Sequence, residues 1–200
     1  GDAAHLMPPF MGQGMCAGIR DVSNLAWKIS HCLINKHDEK LLNTYQSERF
    51  SNVKEYIETT MRMGEFVNAV GKSPITNNIS ADSKGRKSMK SIKPRLGHGL
   101  GNLKDKFRGK IFPQYIIKNN KKLDEKFSLK PALIISNEIK KNISSKIKLI
   151  RSKNIKNLEL FFKEHNCKAV IVRPDRFILS SCTSVKDFNS YLSKNLSYLV

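Results

Sequence analysis

The first 33 residues constrain the fold most. Pro8-Pro9 fixes two successive backbone dihedrals, Gly12-Gln13-Gly14 permits a sharp turn, and apolar residues then recur at three- and four-residue steps through Met15, Ile19, Val22, Leu25, Ala26, Ile29 and Leu33. That order predicts a rigid extended segment, a tight turn and an amphipathic helix from Gly14 to Leu33 with one face built to be buried. The same stretch is equipped for a ligand. Asp2 offers two acceptor oxygens to the hydroxyls of a sugar or polyol, and Gly12 and Gly14 let backbone approach a ring with no Cβ in the way. The unpaired N–H groups and positive dipole end of the following helix favour partial negative charge. Such a site suits a flat cofactor with an electron-rich edge.

A second helix is predicted from Glu39 to Val67, where Leu41, Leu42, Tyr45, Phe50, Val53, Tyr56, Ile57, Met61 and Phe66 alternate with charged residues. Residues 71–108 are rich in Gly, Ser, Asn, Pro and Lys and read as a linker. Beyond it, β-prone runs occur at Ala132–Ile135, Ile147–Ile150, Ala169–Arg173 and Phe177–Leu179, with helical spacing at Asn157–His165 and Ser184–Asn195. Strands interleaved with helices imply a small α/β layer. Pro174-Asp175-Arg176 lies between two runs and predicts a tight turn joining antiparallel strands. No internal repeat is visible. The expected organisation is a unit over 1–70, a linker over 71–108 and an α/β unit over 109–200.

Charge narrows the partners less than its total implies. The net charge of +19 points to nucleic acid or an anionic surface, yet residues 1–70 carry 7 basic and 8 acidic side chains, residues 71–130 carry 16 and 4, and residues 131–200 carry 13 and 5. Most of the excess is scattered lysine without interleaved arginine and aromatic residues for stacking, so a solvated basic surface is favoured over nucleic-acid binding. No apolar run is long enough to span a membrane, which argues against a membrane protein. Cys16, Cys32, Cys167 and Cys182 lie far apart with no Cys-x-x-Cys pair, which spells no metal site and favours reduced thiols in a cytoplasmic protein. The Gly-Asp-Ala-Ala-His opening has neither an initiator methionine nor a secretory pattern and reads as part of something longer.

The run Gly1-Asp2-Ala3-Ala4-His5-Leu6-Met7-Pro8-Pro9-Phe10-Met11-Gly12-Gln13-Gly14-Met15-Cys16-Ala17-Gly18-Ile19-Arg20-Asp21 resembles the second FAD-binding motif of the class A flavoprotein aromatic hydroxylases. Asn24-Leu25-Ala26-Trp27-Lys28 extends the resemblance, and Leu41-Leu42-Asn43-Thr44-Tyr45-Gln46-Ser47-Glu48-Arg49 is similar to the helix that follows in that family. Gly109-Lys110-Ile111-Phe112-Pro113-Gln114 and Val172-Arg173-Pro174-Asp175-Arg176 resemble segments of the thioredoxin-like C-terminal domain of its larger members, and the closest flavour is the 3-(3-hydroxyphenyl)propionate and phenol hydroxylase type. The resemblance implies the C-terminal helical part of an FAD-binding, p-hydroxybenzoate hydroxylase-like domain followed by a thioredoxin-like α/β domain. It also implies an enzyme that hydroxylates a small phenolic substrate with O2 and NADH or NADPH, through a flavin C4a-hydroperoxide.

The resemblance assigns the FAD ribityl chain to Asp2 and the pyrimidine edge of the flavin to backbone at Gly12, Gln13, Gly14, Met15 and Cys16. It places the carbonyl of Pro9 near the reacting atoms as a catalytic contact. Many relatives carry asparagine where Cys16 stands, a change that a backbone contact tolerates. No Gly-x-Gly-x-x-Gly occurs in the 200 residues, so the pyrophosphate cradle of a dinucleotide site is missing. The implied partner is therefore an N-terminal FAD-binding portion, without which the chain is expected to be inactive. A homo-oligomer, a relative with a different oxidative reaction, and a remnant acting as a basic binding module remain open. Read plainly, His5 is structural, Arg20-Asp21 is an ion pair or a brace for the flavin loop, and Trp27 and Met15 are core residues before they are cofactor contacts. Cys167 and Cys182 are not a redox pair.

Overall fold

The computed structural model describes residues 1–35, 39–70, 92–117, 120–127, 130–140, 147–153 and 155–196. A short 3-10 turn over Pro9–Met11 precedes helix α1 (Gly14–Asn35), and α2 (Lys40–Val70) packs against α1 and against that turn. Both helices fall within two or three residues of the expected bounds.

Burial on α1 is the reverse of what its apolar spacing predicts. Met15, Ile19, Val22, Ile29 and Leu33 are exposed, whereas Ala17, Asp21, Asn24, Trp27 and Lys28 are buried on the other side of the helix. The facing residues of α2 are also polar in large part: Glu48, Arg49, Asn52, Thr59 and Thr60 are buried there beside Val53 and Tyr56. The physical reason is that every buried charge at this seam has an opposite partner, so the seam is held by paired ions instead of an oily stripe. Met15, expected as core, is 76% exposed.

The C-terminal unit carries strands β1 (Ala132–Ile135), β2 (Lys148–Arg151), β3 (Ala169–Val172) and β4 (Ile178–Cys182), with helices α3 (Lys156–Glu164) and α4 (Phe188–Leu196). The sheet order is β2-β1-β3-β4, with β1 and β2 parallel and the β1–β3 and β3–β4 pairs antiparallel. β1 and β3 are buried along their whole length, which is why their β-branched runs stood out in the sequence. Side chains alternate between two cores. Ala132, Ile134, Val170 and Val172 join Leu158, Phe161 and Phe162 of α3, while Leu133, Ile135, Ala169 and Ile171 join Phe188 of α4.

The Pro174-Asp175-Arg176 turn forms as expected. The Arg176 N–H donates to the Arg173 carbonyl, the Arg173 N–H donates to the Phe177 carbonyl, and Arg176 takes a left-handed φ of 68°. Of the stretch read as a linker, residues 71–91 lie outside the described residues. The remainder packs as a strap: Leu96, Phe107 and Arg108 are buried, the Gly97 N–H donates to the Glu48 carbonyl, and Gly109 and Lys110 bond to Ile178 of β4. The strap thus ties α2 to the outer strand of the sheet.

Candidate flavin-loop site and its interdomain brace

The loop singled out in the sequence folds back along the start of α1. The carbonyl of Gly1 accepts the N–H groups of Ala4 and His5, closing a turn that leaves Asp2 exposed. The Cα of Gly1 comes within 3.7 Å of where a side chain on Gly18 would begin, so the Asp2 turn lies beside the second turn of α1. Pro9 opens the 3-10 turn, its carbonyl accepts the Gly12 N–H at 3.0 Å, and Gly12 then reverses the chain with φ 60° and ψ 27°. Nothing lies within 4 Å of the position a Gly12 Cβ would take.

Helix α1 begins directly after this reversal. Its first internal bond runs from the Ala17 N–H to the Gln13 carbonyl at 2.8 Å, so the N–H groups of Gly14, Met15 and Cys16 emerge from the helix end. The Gln13 side chain is engaged elsewhere, accepting from Arg20 Nη2 and donating to the Met11 carbonyl. An open left-handed glycine beside an uncapped helix N-terminus is a cradle for a flat group carrying negative charge on its edge, and the residues present fit a flavin.

Two adjacent residues of α1 hold this loop, and they do not pair with each other. Asp21 Oδ2 accepts from the Gly1 nitrogen at 2.9 Å and bonds His5 Nε2 at 2.6 Å, while Oδ1 accepts from Arg49 Nε at 2.7 Å. Burial raises the Asp21 carboxyl, but the bonds from Arg49, the Gly1 nitrogen and His5 outweigh it and hold the group below its ordinary range. Arg49 continues to Asn52, whose amide donates to the carbonyls of Pro94 and Arg95 in the strap. His5 is thus a structural residue. Arg20 instead reaches Gln13 and lies over the Tyr56 ring at 4.7 Å.

Sequence reasoning missed the densest cluster of charged side chains among the described residues. Arg173 Nη1 and Nη2 donate to Glu48 Oε1 and Oε2 at 2.8 and 2.9 Å, and the same guanidinium donates to both Asp175 oxygens. Lys28 Nζ donates to Glu48 Oε2 at 2.9 Å, Asn24 bridges Glu48 and Asp175, and Trp27 Nε1 donates to Asp175 Oδ2 at 3.1 Å. The Leu100 N–H adds a bond to Glu48 Oε1, and the Arg173 guanidinium carbon lies 5.1 Å from the Trp27 ring centre. Burial pushes the Glu48 carboxyl up, yet Arg173 and Lys28 more than reverse this and hold it at about 2. Burial pulls the Lys28 ammonium down to about 8 against the attraction of Glu48. The carboxylates on either side raise Arg173 despite its burial. Each side chain of the cluster belongs to a segment that carried the family resemblance, and the signal available in α1 and α2 was that Lys28 and Glu48 stood at buried helical positions.

The remaining candidates fall outside this constellation. Burial raises the thiols of Cys167, to about 11, and of Cys182, so neither is an activated nucleophile. Among the described residues no group of His, Cys, Asp and Glu is arranged to hold a metal ion, and no helix is long and apolar enough to cross a membrane. A groove of about 780 Å³ between the strap and the C-terminal unit, lined by Lys104, Ser181, Thr183, Asp187, Tyr191 and Lys194 among others, shares no residue with the loop before α1.

Residues 1–60 match the model of the FAD binding domain family. Over parts of its length the chain is similar to aromatic hydroxylases. It is 38% identical over 122 residues, 58% of its length, to a probable NADH-specific resorcinol 4-hydroxylase of Rhodococcus jostii. It is 45% identical over 64 residues, 32% of its length, to a 3-(3-hydroxy-phenyl)propionate/3-hydroxycinnamic acid hydroxylase of Burkholderia cenocepacia. The chain spans 22% and 12% of the lengths of these two relatives. In fold it is similar to aklavinone-11 hydroxylase, solved with FAD and aklavinone, at a TM-score of 0.58 and 17% identity, covering 98% of this chain and 43% of that one. The flavin-dependent monooxygenase PieE, solved with FAD and substrate, gives a TM-score of 0.58 at 14% identity, covering 96% of this chain and 46% of that one.

Proposed function

We propose that this chain supplies one wall of the flavin site, together with a thioredoxin-like C-terminal unit, to an FAD-dependent monooxygenase that hydroxylates a phenolic ring with NADH or NADPH and O2. The observation that carries the reading is the open, left-handed Gly12 leading into the uncapped start of α1. When bound, FAD would supply the electron transfer from the nicotinamide and the activation of oxygen. The protein's part is binding and electrostatics. Asp2 would accept hydroxyls of the ribityl chain, and backbone at Gly12, Gln13, Gly14, Met15 and Cys16 would face the pyrimidine edge. The helix N-terminus would favour negative charge there by about 0.3 to 2 kcal/mol. The Pro9 carbonyl, held by the Gly12 N–H, would mark the edge of the substrate space.

Two further features support this account. The sheet order β2-β1-β3-β4, with one parallel and two antiparallel pairs, is compatible with a thioredoxin-like unit. The exposed Met15, Ile19, Val22, Ile29 and Leu33 stripe is a surface that the rest of an FAD-binding domain would cover. The 200 residues alone lack the Gly-x-Gly-x-x-Gly cradle, and by themselves they are expected to hold FAD weakly and not to turn over.

The test is to purify the product of the native locus and measure its FAD content. NADH- and NADPH-dependent oxygen uptake would then be followed with resorcinol and with 3-(3-hydroxyphenyl)propionate, together with product analysis. Stoichiometric FAD and a hydroxylated phenol support the proposal. A product without flavin, or oxygen uptake that yields only peroxide across a panel of phenols, overturns it.

A further inference from the structure

Arg20 is the charged residue of α1 that neither the buried ion cluster nor the Asp21 hub uses. Its guanidinium lies on the Tyr56 ring at 4.7 Å, and Tyr56 is only 4% exposed, so the platform is fixed by the α1–α2 seam. From that seat Nη2 donates to Gln13 Oε1 at 3.1 Å, while Gln13 Nε2 donates to the Met11 carbonyl at 3.4 Å. Gln13 stands between the reversal at Gly12 and the first helical residue Gly14, and its own carbonyl accepts the first bond of the helix. The contact from Arg20 therefore falls on the one residue that links the turn to the helix end.

Gly12 makes such a restraint necessary. It has a left-handed φ and empty space on its side-chain face, so although α2 packs on the Pro9–Met11 turn, nothing packs on the reversal at Gly12 itself. We infer that Arg20 is a positioning residue for the flavin loop, clamping Gln13 between the Tyr56 platform and the Gly12 turn so that the first N–H groups of α1 keep one orientation. This rests on the reading of the loop as a flavin wall. Arginine suits the task because its planar group stacks on the ring and donates in a fixed direction, neither of which an ammonium does.

The test is amide hydrogen exchange, resolved by residue, on the 200-residue chain and its Arg20→Met, Arg20→Lys and Gln13→Leu variants. The amides to follow are Gly12, bonded to Pro9, and Ala17, bonded to Gln13. Arg20→Met and Gln13→Leu should each lower protection at these two amides at least tenfold, with Val53 and Tyr56 of α2 within twofold of the parent, and Arg20→Lys should not restore it. Gln13→Leu removes the contact while leaving the Tyr56 platform intact, which separates the clamp from a general loss of stability. Protection at Gly12 and Ala17 unchanged within twofold in Gln13→Leu, or a loss spread evenly along α1 and α2, would overturn the inference. The flavin reading is decided separately by the FAD content of the product of the native locus: flavin absent there overturns that reading, while the exchange result still decides the clamp.

Discussion

Arg173 grips Glu48 with both terminal nitrogens, at 2.8 and 2.9 Å, across 125 residues of sequence. Glu48 lies on α2 and Arg173 at the end of β3, so this bidentate pair fixes the sheet on the helical hairpin. Removing the guanidinium leaves two buried carboxylates, Glu48 and Asp175, with only Lys28 and the more distant Arg108, 4.0 Å from Glu48 Oε1, to balance them. Arg173→Met is expected to cost about 3 to 5 kcal/mol of stability, the usual penalty for an uncompensated buried charge. Lys28→Met, which leaves the bidentate pair in place, should cost clearly less. Urea unfolding of the two variants checks the order.

Acid should act through the same residue. The Glu48 carboxyl is held at about 2 against an ordinary value of 4.5, so its contribution is fully present above about pH 4.5 and is lost as the pH falls toward 2. The difference amounts to on the order of 3 kcal/mol. An acid titration followed by circular dichroism should show stability falling through that window. In Glu48→Gln, which starts less stable, that component of the slope should be absent, and equal slopes in the two proteins would remove Glu48 as the cause.

Two glycines separate packing from ligand approach. A Cβ on Gly99 would run into the Glu48 carboxylate side chain, which the ion cluster holds in place. Gly99→Ala should therefore cost about 1 to 3 kcal/mol, as overpacking does. A Cβ on Gly12 meets nothing, and its left-handed φ adds about 1 kcal/mol of strain. Gly12→Ala should lower the melting temperature by only about 2 to 4 °C yet weaken FAD binding in the holoprotein, measured by flavin fluorescence.

Trp27 is the single tryptophan of the chain, and its indole N–H donates to Asp175 at 3.1 Å across the seam. Its emission is a built-in reporter of docking between the two units. Asp175→Leu should shift the emission to the red while far-ultraviolet circular dichroism stays near that of the parent. An unshifted spectrum would mean that the seam closes without Asp175.

The parts of this architecture legible in the sequence were those set by neighbours. Val170-Ile171-Val172 and Leu133-Ile134-Ile135 declare strands through their side chains, and Pro174 presets the turn that Arg176 completes. The turn at Pro9–Gly12 and the start of α1 were legible as a local order of Pro, Gly and helix. Long-range pairing was not: nothing near Glu48 indicates that its partners are Lys28, on another helix, and Arg173, just past the end of β3. The face of α1 that meets α2 was misread for the same reason. Hydrophobic spacing locates an apolar stripe, but a set of buried ions becomes intelligible only when all its members are seen together.

The buried cluster also orders events in time. A ribosome adding about 5 to 20 residues per second completes Lys28 and Glu48 on the order of ten seconds before Arg173 emerges, given the 125 residues between them. Until then Glu48 has Lys28 and, once it is made, Arg108 as cations, but lacks the bidentate guanidinium that completes its burial. The helices made first are therefore expected to close last, waiting on a strand from the far end of the chain.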